Sequence, residues 1–119
     1  MIETVVLGAS NNPSRYSYIA VERLKDYNHK VYPIGIKKGE IAGVKIINDL
    51  PIISNVHTVT LYLNPKRQKE YYNYILNLKP KRVIFNPGTE NNELKEILEK
   101  NNIKTIENCT LVMLSNNLF

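Results

Sequence analysis

The chain has 119 residues, of which 43% are hydrophobic, and a formal net charge of +5 from 16 Lys and Arg against 11 Asp and Glu. This length and composition fit one globular domain over residues 1–119 and exclude a disordered chain. The positive charge favours an anionic ligand or partner. No apolar run reaches the roughly 18 residues of a membrane span, and no signal-peptide pattern opens the chain, so we expect no membrane association.

The reactive side chains are few. The single cysteine, Cys109, cannot form an internal disulfide, which predicts a cytoplasmic location. Two isolated histidines and one cysteine lack the spacing of zinc ligands, so we predict no metal site. No Ser-His-Asp set or paired-carboxylate motif is apparent, and no catalytic residue is assigned. The sequence therefore does not support catalysis, although residues distant in the chain can still meet in the fold.

Short β-branched runs alternate with amphipathic segments along the chain. The runs predict five strands, at residues 3–7, 30–34, 57–63, 81–85 and 103–106. Apolar residues at helical spacing predict helices over 16–27, 65–78, 91–101 and 109–114. Asn64 is the predicted cap of the second helix, with Pro65 at its first position. A Gly- and Lys-bearing loop at 36–43 and a short extended piece at 44–47 follow the second strand.

This alternation predicts a single Rossmann-like α/β domain of three layers. Connections too long for hairpins require parallel strands with helices on both faces of the sheet. We predict five parallel strands in the order 3-2-1-4-5. Pro33, inside the second strand, indicates the end of that strand or an edge of the sheet. In such folds ligands bind beyond the carboxyl ends of the strands, where the strand order reverses, so the turn after the first strand is the expected site.

The turn after the first strand, in the sequence VVLGASNNPSR, has the layout of a phosphate-binding turn. Gly8 supplies the bend, but Ser10 and Pro13 stand where the dinucleotide fingerprint has its further glycines. Asn11 and Asn12 tolerate unusual backbone angles, and the start of the following helix presents free amides. The turn suits phosphate along a path different from that of the common fingerprint.

The end of the second strand bears on which nucleotide would bind. NAD-binding folds place Asp or Glu there to hold the ribose hydroxyls, whereas this chain has no acid before Glu40. Lys37 and Lys38 would instead attract an additional phosphate on the ribose. These residues disfavour NAD and leave NADP and coenzyme A (CoA) open.

The motifs together resemble the standalone CoA-binding domain family, which shares its fold with the CoA-binding N-terminal domain of the succinyl-CoA synthetase alpha subunit. The resemblance covers almost the whole chain. It rests on the segments GASNNP with RYS, VYPI, KKGEIAG, VHTVTLYL, NPGT and ENC, in that order.

The resemblance implies a site that binds CoA or an acyl-CoA. Residues 9–13 and Arg15 would cradle the diphosphate, Lys37 and Lys38 would meet the adenosine end with its 3′-phosphate, and residues 86–89 would contact adenine or pantetheine. The site residues expected on this basis are Gly8, Ala9, Ser10, Asn11, Asn12, Pro13, Arg15, Ser17, Pro33, Lys37, Lys38, Asn86, Pro87 and Gly88. We expect no counterpart of the second domain of the synthetase, which carries its phosphorylated histidine. We therefore expect a carrier, sensor or regulatory protein without catalysis of its own, an NADP- or other nucleotide-binding module being the alternative.

Other basic and aromatic residues have simpler interpretations. Lys66, Arg67 and Lys69 are expected to form a solvated face of the second helix, and the neighbouring tyrosines to pack against the core. No recognition motif supports nucleic-acid binding through that face. The sequence leaves open a protein partner, such as a separate catalytic chain for which this domain is the CoA-binding subunit, and a homo-oligomer.

Overall fold

Seven strands and five α-helices make up the computed structural model, which describes residues 1–119. The strands are β1 (Glu3–Leu7), β2 (Lys30–Ile34), β3 (Glu40–Ile41), β4 (Val44–Lys45), β5 (Thr58–Leu61), β6 (Arg82–Phe85) and β7 (Lys104–Glu107). The helices are α1 (Tyr16–Asp26), α2 (Pro65–Gln68), α3 (Tyr72–Leu78), α4 (Asn92–Lys100) and α5 (Thr110–Ser115). None of these helices is both long enough and apolar enough to cross a membrane.

Five of the strands form one parallel sheet, in the order β2-β1-β5-β6-β7. The predicted Rossmann-like class and the five predicted strands are confirmed. The predicted order 3-2-1-4-5 is wrong, because the third strand of the sheet, β5, pairs with β1 and not with β2. Numbered along the chain, the observed order of the five strands is 2-1-3-4-5.

Pro33 explains why no full strand lies outside β2. The Pro33 carbonyl faces the outer edge, where it accepts a hydrogen bond from the amide of Ile47 at 2.8 Å. Proline has no amide hydrogen to donate along the same edge, so a longer strand there would lose a ladder bond. Only a single bridge between Ile34 and Ile47 forms on that side, and β3 and β4 pair with each other as a separate antiparallel hairpin.

Alternation along the strands divides the core between the two faces of the sheet. Val5 and Leu7 of β1 belong to a cluster that also contains buried residues of α3 and α4. Val6 belongs to a second cluster with buried residues of α1 and α5. The helices therefore cover both faces, and the carboxyl ends of β1, β2, β5 and β6 are left to form one rim.

The predicted helix over residues 65–78 is broken in the middle. Asn64 caps α2 as predicted, since its side chain accepts the amide of Arg67 at 3.0 Å. A 3₁₀ turn over Lys69–Tyr71 then separates α2 from α3, and Tyr71, at φ −106° and ψ 0°, is the N-cap residue of α3. This break turns α3 so that Tyr74, Ile75 and Leu78 pack into the core.

Candidate functional site

A cleft of about 460 Å³ opens at the carboxyl rim of the sheet. The loops that follow the four strands β1, β2, β5 and β6 line this cleft, with Gly8, Lys37, Tyr62 and Gly88 among the lining residues. The starts of α1 and α2 complete the walls. This is the place where parallel α/β sheets bind their ligands, as the sequence predicted.

The turn after β1 depends on Gly8. This residue has a φ of +97°, and an added Cβ would lie 3.0 Å from both the Tyr62 carbonyl carbon and Leu63 Cγ. The amides of Gly8 and Ala9 both donate to the carbonyl of Ile34, at 2.9 and 2.8 Å. Those two amides therefore hold the turn against β2 and are not free for a ligand. The next amide along the turn, that of Ser10, has no partner within the protein, and Ser10 lines the cleft.

The residues after Ser10 build a tight loop with their own side chains. The Asn12 side-chain oxygen accepts the amide of Ser14 at 3.0 Å and its hydroxyl at 2.8 Å. The Asn12 amide donates to Ser10 Oγ at 3.1 Å, and the Asn11 side chain donates to the carbonyl of Lys38, also at 3.1 Å. Ala9, Asn11, Asn12 and Pro13 thus shape the turn without lining the cleft. Direct ligand contacts by these four residues stay a prediction.

The start of α1 points its first residues into the cleft. Arg15 is the extended N-cap residue, and Arg15, Tyr16 and Ser17 all line the cavity. No carbonyl within the protein accepts the amides of Tyr16 and Ser17, as is usual for the first turn of a helix. Free first-turn amides and the helix dipole favour an anion at this position.

Three cationic side chains and no carboxylate line the cleft. Arg15 and Lys37 were predicted site residues, whereas Arg67 was assigned to a solvated face. The signal for Arg67 was present in the sequence, because the Asn64-Pro65 cap starts a helix directly after β5 and places residue 67 in its first turn. An anionic ligand is the chemistry that such a lining fits.

The two lysines after β2 lie on different sides of their loop. Lys37 lines the cleft. Lys38 lies on a neighbouring surface beside Glu40 and Lys45. Pro33 is buried within β2, two residues before the strand's loop begins. The structure thus brings only Lys37 of these three predicted site residues into the cleft.

Asn86 lies beneath the cleft, in a buried polar network. Its side chain donates to Thr60 Oγ1 at 2.6 Å and to the Leu61 carbonyl at 2.8 Å, and it accepts the amide of Thr110 at 2.8 Å. These bonds occupy the carboxamide and fix the loop in which Pro87 and Gly88 line the cleft. Asn86 therefore positions its neighbours, and a direct ligand contact from it stays a prediction.

Tyr62 and Cys109 lie close to this network. Burial raises the pKa of Tyr62, which lines the cleft, to about 12. Cys109 is free and partly buried, and it is the N-cap residue of α5. It does not line the cleft.

Comparison with known proteins identifies the family. The family model for the CoA binding domain matches residues 3–115. The chain belongs to this family. The resemblance indicated by the sequence motifs is thereby confirmed.

Two curated proteins align with parts of this CoA-binding domain. It is 33% identical to the acetate–CoA ligase [ADP-forming] II subunit alpha of Pyrococcus furiosus over 63 residues. The aligned segment covers 52% of this chain and 14% of that protein. It is 42% identical over 40 residues to an acetate–CoA ligase [ADP-forming] of Methanocaldococcus jannaschii, 34% of this chain and 6% of that protein. The chain thus corresponds to a small part of each ligase.

Solved structures share the fold over the whole chain. The crystal structure of an uncharacterized protein is 58% identical, with a TM-score of 0.98 over 100% of this chain and 98% of the other. A hypothetical protein from Pyrococcus horikoshii OT3 is 26% identical, with a TM-score of 0.86 over 98% of this chain and 82% of the other. The fold of this CoA-binding domain therefore also occurs in solved chains of similar length.

Proposed function

We propose that this domain binds CoA or an acyl-CoA in the cleft at the carboxyl rim of the sheet. The observation that carries the proposal is the lining itself: Arg15, Lys37 and Arg67 with no carboxylate, beside the turn after β1. Membership of the CoA-binding domain family supports CoA as the anion.

The diphosphate is assigned to the turn after β1 and the start of α1. The free amides of Ser10, Tyr16 and Ser17 are available there. Arg15 adds a guanidinium that can donate two parallel hydrogen bonds to phosphate oxygens. The amides of Gly8 and Ala9 serve the same site indirectly, since they hold the turn to β2. Arg67, from the opposite wall, adds a second guanidinium.

The adenosine end is assigned to the loop after β2. Ile36 and Lys37 follow this strand in the cleft, and neither can accept hydrogen bonds from a ribose diol as the acid of NAD-binding folds does. The Lys37 ammonium can pair with the 3′-phosphate of CoA. Because Lys38 lies outside the cleft, we expect it to contribute less than Lys37.

Because no catalytic residue is assigned, we propose that the domain acts as a carrier, a sensor or a regulator through the acyl-CoA that it binds. A second candidate is a CoA-binding subunit whose catalytic chain is separate, which the similarity to a ligase subunit alpha favours. Co-purification of a catalytic chain with the tagged protein would distinguish the two. The single free cysteine supports a cytoplasmic location for either role.

Isothermal titration with CoA, dephospho-CoA, NADP and NAD tests the proposal. We expect CoA to bind most tightly and Arg15→Gln to weaken CoA binding by about tenfold or more, since a hydrogen bond between charged groups is lost. Arg23→Gln is the matched control, because Arg23 is exposed on the last turn of α1 and outside the cleft. Tighter binding of NADP than of CoA would overturn the proposal in favour of an NADP-binding module.

A further inference from the structure

The loop that carries Lys37 is held in place by side chains from outside it. We define the Lys37 loop as residues 35–39, between β2 and β3. The Asn48 side-chain amide donates to two of its carbonyls, Gly35 at 2.9 Å and Lys37 at 3.0 Å. The Asn11 side chain donates to a third, that of Lys38. Three of the loop's carbonyls therefore have fixed directions.

The Lys37 loop is also packed tightly against the turn after β1. A Cβ at Gly35 would overlap the carbonyl oxygen of Ala9, and a Cβ at Gly39 would lie 2.7 Å from Cβ of Asn11. The far end of the loop is tied down where the amide of Ile46 donates to the Gly39 carbonyl at 2.8 Å. These contacts hold the loop through groups of the protein itself.

The hydrogen bonds to the Lys37 loop affect which part of the cleft the Lys37 ammonium can reach. A lysine side chain has four rotatable bonds and searches a large volume, so the position of its backbone sets which wall of the cleft the ammonium can reach. Asn48 acts on that backbone, because one of its two acceptors is the carbonyl of Lys37 itself. A loop held in its binding conformation loses less entropy when the ligand binds.

We propose that Asn48 is a positioning residue for recognition of the 3′-phosphate. It does not line the cleft and acts through Lys37. The inference rests on the proposed function and adds to it a residue that neither the family motifs nor the cleft lining assigns.

The test compares the affinities of CoA and dephospho-CoA, which differ only in the 3′-phosphate, by isothermal titration. Asn48→Ala and Asn48→Leu both remove the two hydrogen bonds without adding a charge, and Leu keeps the approximate size of the side chain. We expect both variants to reduce the preference for CoA over dephospho-CoA by about three- to tenfold, as the loss of one or two hydrogen bonds implies. Affinity for dephospho-CoA should fall less than affinity for CoA, because dephospho-CoA lacks the 3′-phosphate that Lys37 would bind. Lys37→Gln should abolish most of the preference.

Asn73→Ala is the matched control, because Asn73 is exposed on α3 and is not among the residues that line the cleft. It should leave both affinities at the wild-type values. If the Asn48 variants weaken both ligands equally, or neither, Asn48 has only a structural role and the inference is overturned. If the wild-type protein binds neither ligand, the proposed function fails, and this inference fails with it.

Discussion

Gly35 lies where the Lys37 loop packs tightly against the turn after β1. An added Cβ would overlap the Ala9 carbonyl oxygen, which belongs to the backbone and cannot rotate away. We predict that Gly35→Ala lowers the free energy of unfolding by about 1–3 kcal/mol, the usual range for overpacking, as measured by urea denaturation. It should also weaken CoA binding, because the turn after β1 must shift.

Gly43→Ala is a useful comparison for that prediction. Gly43 has a φ of +81°, so alanine there is strained, but nothing lies within 4 Å of the added Cβ. It should cost stability without changing CoA affinity. A Gly35→Ala protein that keeps both its stability and its affinity would show that the two segments can separate freely.

Individual site residues were predictable to different degrees. Gly8, Arg15 and Lys37 follow strands or start a helix, and local sequence signals were enough to place them at the rim. Lys38 and Asn86 also follow strands, and the sequence alone does not separate them from Gly8 and Lys37. They lie outside the cleft, because the direction of a loop side chain depends on the hydrogen bonds that the folded loop makes. Asn48 gave no signal at all, since its role consists of contacts to residues 11 and 13 positions away.

At the level of elements, Gln68 joins three parts of the structure. Its fully buried side chain donates to the carbonyls of Leu63 at 2.7 Å and Thr89 at 2.8 Å, and it accepts from Asn91 at 2.9 Å. We predict that Gln68→Leu, which is similar in volume, lowers the free energy of unfolding by about 2–4 kcal/mol, because it leaves two buried carbonyls without donors. Thermal and urea unfolding would measure the loss.

Gln68 lines no part of the cleft, so its substitution should act through stability and the placement of neighbouring loops. Lys69→Leu, at the exposed neighbouring position, is the control and should change stability little. Equal stability of the wild type and Gln68→Leu would mean that the two carbonyls find other donors.

The elements themselves could be predicted from local pattern, but their order could not be predicted from alternation alone. Five strands and the cap at Asn64 follow from apolar runs and cap chemistry. The position of β5 beside β1 depends on the edge character of β2, which Pro33 indicated. A central β2, as in the order 3-2-1-4-5, conflicts with that proline. The break at residues 69–71 could not be predicted from the sequence pattern, because the apolar spacing continues through it.

Across the whole molecule, cations gather at both ends of the sheet. At the amino ends of the strands, burial and the charge of Arg82 lower the pKa of both His29 and His57 below 6.5. The N-terminus acts in the same direction on His29, and Lys81 on His57. The Arg82 guanidinium stacks on Phe119 at 4.5 Å, and its Nε donates to Thr58 Oγ1 at 2.7 Å.

These shifts predict loss of stability in mild acid. With lowered pKa values in the folded state, the unfolded chain binds more protons, so stability is fully present above pH 6.5 and falls as the pH drops below it. The free energy of unfolding, measured by urea titration between about pH 5 and 7, should decrease toward pH 5, a window above most carboxylate titration. The double variant His29→Gln, His57→Gln should show a flatter profile. An unchanged slope in that variant would assign the acid sensitivity to other groups.

The most direct measurement is a crystal structure of the protein with bound CoA. We predict the diphosphate at the amide of Ser10 and the start of α1, with Arg15 on its oxygens and the 3′-phosphate beside the ammonium of Lys37. CoA bound at another surface, with this cleft empty at saturating ligand, would contradict the assignment of the site.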